Sequence, residues 1–154
     1  MKLCDLLDEQ VVKVRLDGVR KEEVFAEIIE VLVRAGRVTD RERALKAILY
    51  RETMATTGIG NGVAVPHGKD ASVLKLAAAL GISDKGIQYQ AADQQPVYVV
   101  FLVLADKNNP GPHVQCLGEI ARLLSVPGFY DRLRRCASVQ DVLAAIQAEE
   151  QMAW

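Results

Sequence analysis

Few side chains in this sequence are suited to chemistry, and His67 stands in an unusual frame. It is one of two histidines in 154 residues. It closes the stretch Gly58-Ile59-Gly60-Asn61-Gly62-Val63-Ala64-Val65-Pro66-His67-Gly68. Glycines, an Asn-Gly pair and a proline hold it by the backbone at the end of a short apolar run, not on a helix face. An unperturbed imidazole titrates near pH ~6.5, so a neutral, nucleophilic form is available at cytoplasmic pH. Histidine forms covalent intermediates in this way. If the group accepted is a phosphoryl, the protein mainly positions it and stabilises its charge. The flanking glycines leave room for a large anion, and successive N–H groups of such a loop form an anion-binding nest. Pro66 removes a competing donor and stiffens the approach. A plain glycine-rich hairpin whose histidine caps a strand end explains the same pattern, and the residues alone leave both readings open.

His113 follows Pro112 at the expected N-terminus of a helix, where free N–H groups and the positive end of the macrodipole favour an anion and disfavour imidazolium. A second imidazole there could donate a hydrogen bond to a phosphoryl oxygen; a solvated first-turn histidine is the plainer alternative. Arg51 closes a helix shortly before the glycine loop, where a guanidinium could grip phosphate oxygens in bidentate fashion or simply serve the helix dipole. A metal site is the sharpest rival: His113 and Cys116 lie three apart, and His67 could join them. Zinc usually takes three or four such ligands, and the sequence offers no further histidine and no nearby second cysteine, so no metal is expected. No serine sits in a G-x-S-x-G elbow, and the glycine loop lacks the G-K-[ST] ending of a nucleotide P-loop. Arg132, Arg134 and Arg135 read as a solvated helix face.

The elements that must carry these residues follow from periodicity. Lys21 to Ala35 is an amphipathic helix with Val24, Ile28, Val31 and Leu32 on one stripe and Gly36 as its stop. Thr39-Asp40 opens a second helix that runs to about Arg51-Glu52, with Thr39 and Glu42 spaced as a capping box. Val63 to Val65 is a short strand. Val73 to Ile82 is apolar but alanine-rich, so strand and helix are hard to separate. Val97 to Leu104 is the continuous run of a strand buried on both faces. The Asn108–Pro112 loop leads to a helix from about His113 to Leu124, Phe129 to Cys136 forms a short one, and Ser138 caps a last one to about Ala148. Helices around a doubly buried strand imply a layered α/β domain. The early helix pair without an intervening strand implies a mixed sheet.

Composition sets the limits. Half the residues are hydrophobic, a quarter are charged, and the formal net charge is −1. The chain suits one domain, spanning 1–154, with a proper core. No basic field exists to collect phosphate backbone, and 5% aromatic content leaves little for base stacking, so nucleic-acid binding is not expected. An acidic N-terminus argues against a signal peptide, and no apolar window is long enough to cross a membrane. Cys4, Cys116 and Cys136 are few and odd in number and form no C-x-x-C pair, which suits idle thiols in a reducing compartment, hence a cytoplasmic protein.

Glu52, then Ile59-Gly60, then Val63-Ala64-Val65-Pro66-His67-Gly68 resembles the signature of the type-2 IIA domains of the bacterial phosphoenolpyruvate:sugar phosphotransferase system. That is the fructose/mannitol class, which includes the nitrogen-regulatory IIA proteins. The likeness continues through Asp93-Gln94-Gln95-Pro96-Val97 to His113 and its leucine-rich helix, and covers nearly the whole chain. The resemblance implies a three-layer α/β/α sandwich around a central mixed sheet. It implies that His67 is the phosphoacceptor, assisted by Arg51 and His113, in a transfer without metal or cofactor. Beyond the resemblance, Thr57 or Asn61 is expected to donate further hydrogen bonds to the phosphoryl group, with Gly68 as a further phosphate-binding residue. The donor is expected to be an HPr-like phosphohistidine carrier protein. The target is expected to be a regulated kinase or transporter if the protein is of the nitrogen-regulatory kind, or a IIB domain in the sugar branch. The single domain, with no fused IIB, IIC or carrier domain, leans to the regulatory reading. A binding module that has lost phosphotransfer is the third alternative.

Overall fold

A computed structural model of the chain describes residues 1–152. Its centre is a 6-stranded mixed sheet in the order β1-β5-β6-β3-β2, with β4 also on β6. The strands are β1 (Val12–Val14), β2 (Gly58–Gly60), β3 (Val63–Ala64), β4 (His67–Asp70), β5 (Ala77–Ile87) and β6 (Val97–Asp106). The helices are α1 (Lys21–Arg34), α2 (Arg41–Met54), α3 (Gly111–Leu124), α4 (Phe129–Arg135) and α5 (Val139–Gln151). As the unbroken Val97–Leu104 run implies, β6 is the spine, with Val99, Val100, Leu102, Val103 and Leu104 all inaccessible to solvent.

The ambiguous alanine-rich segment is a strand. β5 runs antiparallel to β6 and sets small residues beside large ones, Ala77 opposite Leu104, Ala78 opposite Val103 and Ala79 opposite Leu102. Periodicity could not decide the matter because β5 is buried on both faces through Ser83. α1 buries Val24, Phe25, Ile28, Ile29 and Leu32. Its start is tied by Glu23, whose carboxylate accepts from the Val19 and Arg20 amides, both at 3.1 Å. Gly36, at φ +73°, follows its end. For α2 the cap differs from expectation: Asp40 accepts from the Arg43 amide at 3.1 Å and is the N-cap, so Thr39 lies one residue outside the helix.

α1 packs on α2, with α1 against β5 and α2 against β4; α3 packs on β6, α4 and α5. Two neighbours on β4 mark the opposite faces. Gly68 faces α2, and a Cβ there would stand 2.9 Å from the Ala47 carbonyl carbon. His67 turns the other way and its ring meets that of His113 on α3. These are the helical layers of an α/β sandwich, and one hydrophobic cluster fills the space between them and the sheet. Among the described residues, no helix is long and apolar enough to cross a membrane.

β3 and β4 are one strand cut in two. Val63 pairs with Val99 and Ala64 with Val100; beyond the gap His67 pairs with Val103 in the same register. The cut falls at Val65-Pro66. Proline has no N–H for the ladder, and the Val65 amide turns away to donate to Thr57 O at 3.0 Å.

Candidate functional site

The Asn-Gly hairpin exists, but His67 is not its ornament. Gly60, Asn61 and Gly62 all have positive φ and turn β2 into β3; His67 begins β4, past the strand break. Its Nδ1 lies 2.8 Å from the Val65 carbonyl oxygen. A carbonyl only accepts, so Nδ1 carries the proton and Nε2 keeps its lone pair. The ring is half-buried. Desolvation lowers its pKa below the usual value, the Val65 bond works against that, and the nearby Arg51 charge lowers it further. Near pH ~7 the group is therefore a neutral imidazole with Nε2 as the nucleophilic atom.

His113 is on the third residue of α3, which begins at Gly111, slightly earlier than expected. It is not solvated. Its accessibility is 3%, and its ring centroid lies 5.3 Å from that of His67, tilted by 63°. Among the described residues its Nε2 is buried and has no hydrogen-bond partner, which is costly for a polar atom. Burial, then the neighbouring His67 and Lys69, push its pKa down to about 4. It stays neutral and, with a proton on Nε2, has one hydrogen bond to give.

Arg51 lies in the last turn of α2, and its Nη1 donates to Ala55 O at 3.0 Å. The fork stays partly exposed. Arg51, His67 and His113 line one depression of about 470 Å³ that also contains Gly68 and Lys69. A second, of about 260 Å³, shares Arg51 and His67 and is lined mainly by apolar side chains, Ile59 and Val65 on one side and Leu117, Ile120, Ala121 and Leu124 of α3 on the other. His67 thus stands on the ridge between them. A depression near Cys4, Arg37 and Lys75 is as large, about 470 Å³. Its only thiol has its pKa pushed up to about 12 by desolvation and the Glu150 carboxylate, which suits it poorly to nucleophilic work.

The other sequence candidates divide. Gly68 borders the His67 depression, and its missing side chain is what lets α2 approach β4. Thr57 lines the second depression, but its hydroxyl is taken: it stands 2.5 Å from Glu52 Oε1 and 2.6 Å from the Tyr89 hydroxyl. Its single proton goes to the carboxylate and Tyr89 donates to it, so none remains for an incoming anion. Asn61 is not brought to His67. Its amide donates to Asp93 Oδ2 at 2.9 Å, and it borders a separate depression with Tyr130. Cys116 is fully buried, its thiol pushed up to about 11 by burial. Among the described residues no group of three His, Cys, Asp or Glu side chains is placed to hold a metal ion.

Sequence reasoning missed Lys69, although strand alternation puts it on the His67 side of β4, two residues on. Its charge bears on both imidazoles. It also missed the apolar rim: Tyr50, Met54, Ile59 and Val114 are 59% to 68% exposed around the two depressions.

Residues 5–149 match the family described as phosphoenolpyruvate-dependent sugar phosphotransferase system, EIIA 2. The chain belongs to that family. The IIA domain is 39% identical over 124 residues to the fructose-specific EIIABC component of Bacillus subtilis, covering 80% of this chain but only 20% of that longer protein. It is 31% identical to a nitrogen regulatory protein of Bradyrhizobium diazoefficiens, over 95% of both chains. Among solved structures, IIA-Ntr of Neisseria meningitidis superposes with a TM-score of 0.86 at 25% identity, covering 94% of this chain and 98% of that one. The IIA domain is therefore similar both to nitrogen regulatory proteins and to fructose-type EIIA components, and its family implies a role in the phosphotransferase system.

Proposed function

We propose that this IIA domain is a histidine phosphocarrier that accepts a phosphoryl group on Nε2 of His67 from an HPr-like phosphohistidine carrier protein. The observation that carries the proposal is the Val65 carbonyl on Nδ1, which leaves Nε2 free and unprotonated. In the transfer, the Nε2 lone pair forms the new N–P bond while the donor's N–P bond breaks. The released electron pair returns to the donor imidazole, so no water or metal is required. The transferring group spreads negative charge over its oxygens. Arg51 and Lys69 border the same depression and supply positive charge there, and His113 offers Nε2–H without competing charge. The rim of Tyr50, Met54, Ile59 and Val114 is the face on which a partner excludes water during transfer.

The expected target is a regulated kinase or transporter, as in the nitrogen-regulatory branch. End-to-end similarity to a nitrogen regulatory protein and the 0.86 TM-score with IIA-Ntr support this reading. A sugar-specific role, passing the group to a fructose-type IIB domain, is the second reading, favoured by the higher identity of 39% to the fructose component. The test is incubation with phosphoenolpyruvate and the general phosphotransferase proteins, followed by intact mass measurement. Wild type gains one acid-labile phosphate and His67→Ala gains none; an unmodified wild type, or a modified His67→Ala, refutes the proposal. Adding IIB proteins then separates the branches, since onward transfer marks the sugar carrier.

A further inference from the structure

A buried polar network lies behind the site, and its members reach both Arg51 and His67. Glu52 is the residue after Arg51, and its side chain is only 5% exposed. One carboxylate oxygen accepts from the Thr57 hydroxyl at 2.5 Å, and the other accepts from the Thr57 amide at 3.0 Å. Lys21 of α1 stands 3.5 Å from that second oxygen, its side chain 15% exposed, and lies 5.6 Å from the centroid of the Tyr89 ring. Tyr89 is 1% exposed and closes the network through the Thr57 hydroxyl at 2.6 Å. A buried carboxylate is retained only when its oxygens are satisfied and a counter-charge is near, and here both conditions are met.

The network governs the link between α2 and β2. With its carboxylate on the hydroxyl and the amide of Thr57, Glu52 folds residues 55–57 back on the helix end. Two consequences follow along the backbone. Ala55 offers its carbonyl to Arg51 Nη1 at 3.0 Å, which aims the guanidinium. Thr57 offers its carbonyl to the Val65 amide at 3.0 Å, which fixes the peptide at the strand break. The Val65 carbonyl then receives Nδ1–H of His67 at 2.8 Å. An unbroken path of hydrogen bonds and covalent bonds thus runs from Lys21 and Tyr89 through Glu52, Thr57 and Val65 to the imidazole.

We propose that Glu52 is a positioning residue, and that its grip on Thr57 selects the Nδ1–H tautomer of His67 while aiming Arg51 at the same depression. This deepens the reading of His67 as phosphoacceptor and rests on it. Glu52 does not touch the transferred group. It acts through Thr57 and Val65, and the role of Thr57 is to transmit that hold.

The experiment compares the full-length wild type with Glu52→Gln, in which the amide nitrogen cannot accept from Thr57 and the countercharge to Lys21 is lost. With two histidines in the sequence, a long-range proton–nitrogen spectrum of the imidazoles resolves each tautomer. Wild-type His67 shows Nδ1–H. Folded Glu52→Gln shows a mixture containing Nε2–H, and its phosphorylation slows by about 10- to 100-fold, the scale expected when a reacting atom is misoriented, while the final extent still reaches one phosphate. A folded Glu52→Gln that keeps the wild-type tautomer and rate overturns the proposal. If Glu52→Gln does not fold, Thr57→Val and Thr57→Ser decide: loss of the tautomer in the valine variant with rescue by serine supports the path, and wild-type behaviour in both overturns it. A wild type that takes no phosphate refutes the acceptor reading alone, because the tautomer comparison stands without it.

Discussion

His67 and His113 are held neutral by their surroundings, and that has a price in acid. A folded histidine with a lowered pKa refuses a proton that the unfolded chain accepts. Above about pH 6.5 both states are neutral and the difference is nil. As pH falls, the unfolded His113 protonates first, and stability is lost until the folded ring also protonates at about pH 4. From the shift, the loss between about pH 7 and 4.5 is roughly 2 kcal/mol for His113. Urea unfolding at the two pH values should therefore show a steeper acid loss in wild type than in His113→Phe; equal losses would mean that the burial of His113 does not govern its titration. For His67 the same sign applies to activity. If His67 is the acceptor proposed above, its rate should fall with acid at a midpoint below pH ~6.5, because its pKa is lowered.

At the scale of elements, the site depends on how closely α2 lies on β4. Gly68→Ala would put a Cβ 2.9 Å from the Ala47 carbonyl carbon and 3.0 Å from its oxygen, and backbone cannot swing aside as a side-chain tip can. The expected cost is about 1–3 kcal/mol, read as a lower urea midpoint with unchanged slope, together with slower phosphorylation as Arg51 is carried away from His67. An unchanged midpoint would mean that the helix shifts freely. Much of this level was legible in the sequence. The unbroken run at Val97 and the stripe on Lys21–Ala35 gave β6 and α1, because burial writes itself into periodicity. Pro66 and the glycines marked a backbone disturbance at His67. What could not be read was which residues meet across the fold. Thr57 looked like a free hydroxyl until Tyr89, 32 residues away, was found on it, and Asn61 was drawn off by Asp93, equally distant in sequence. The helical start of His113 suggested solvent, and only the packing of α3 on β6, with the ring set against His67, buried it.

For the molecule as a whole, the electrostatic signal is local. A net charge of −1 gives no long-range pull, whereas Arg51 and Lys69 share a depression with the two imidazoles, so steering toward an anionic group should weaken as salt rises and the Debye length shrinks. Tyr50, Met54, Ile59 and Val114 rim the two depressions that meet at His67, so for a partner of protein size the surface around its free nitrogen is one window. A giver and a taker cannot stand at that window together. With His67 as the carrier, traffic must alternate: one visitor leaves its load, departs, and only then is the next served. Steady-state rates measured against donor at several fixed acceptor concentrations should give parallel reciprocal lines, whereas intersecting lines would reveal a ternary complex and a second way in. Excess unphosphorylated donor should also slow delivery by occupying the window, so throughput depends on how quickly each visitor lets go.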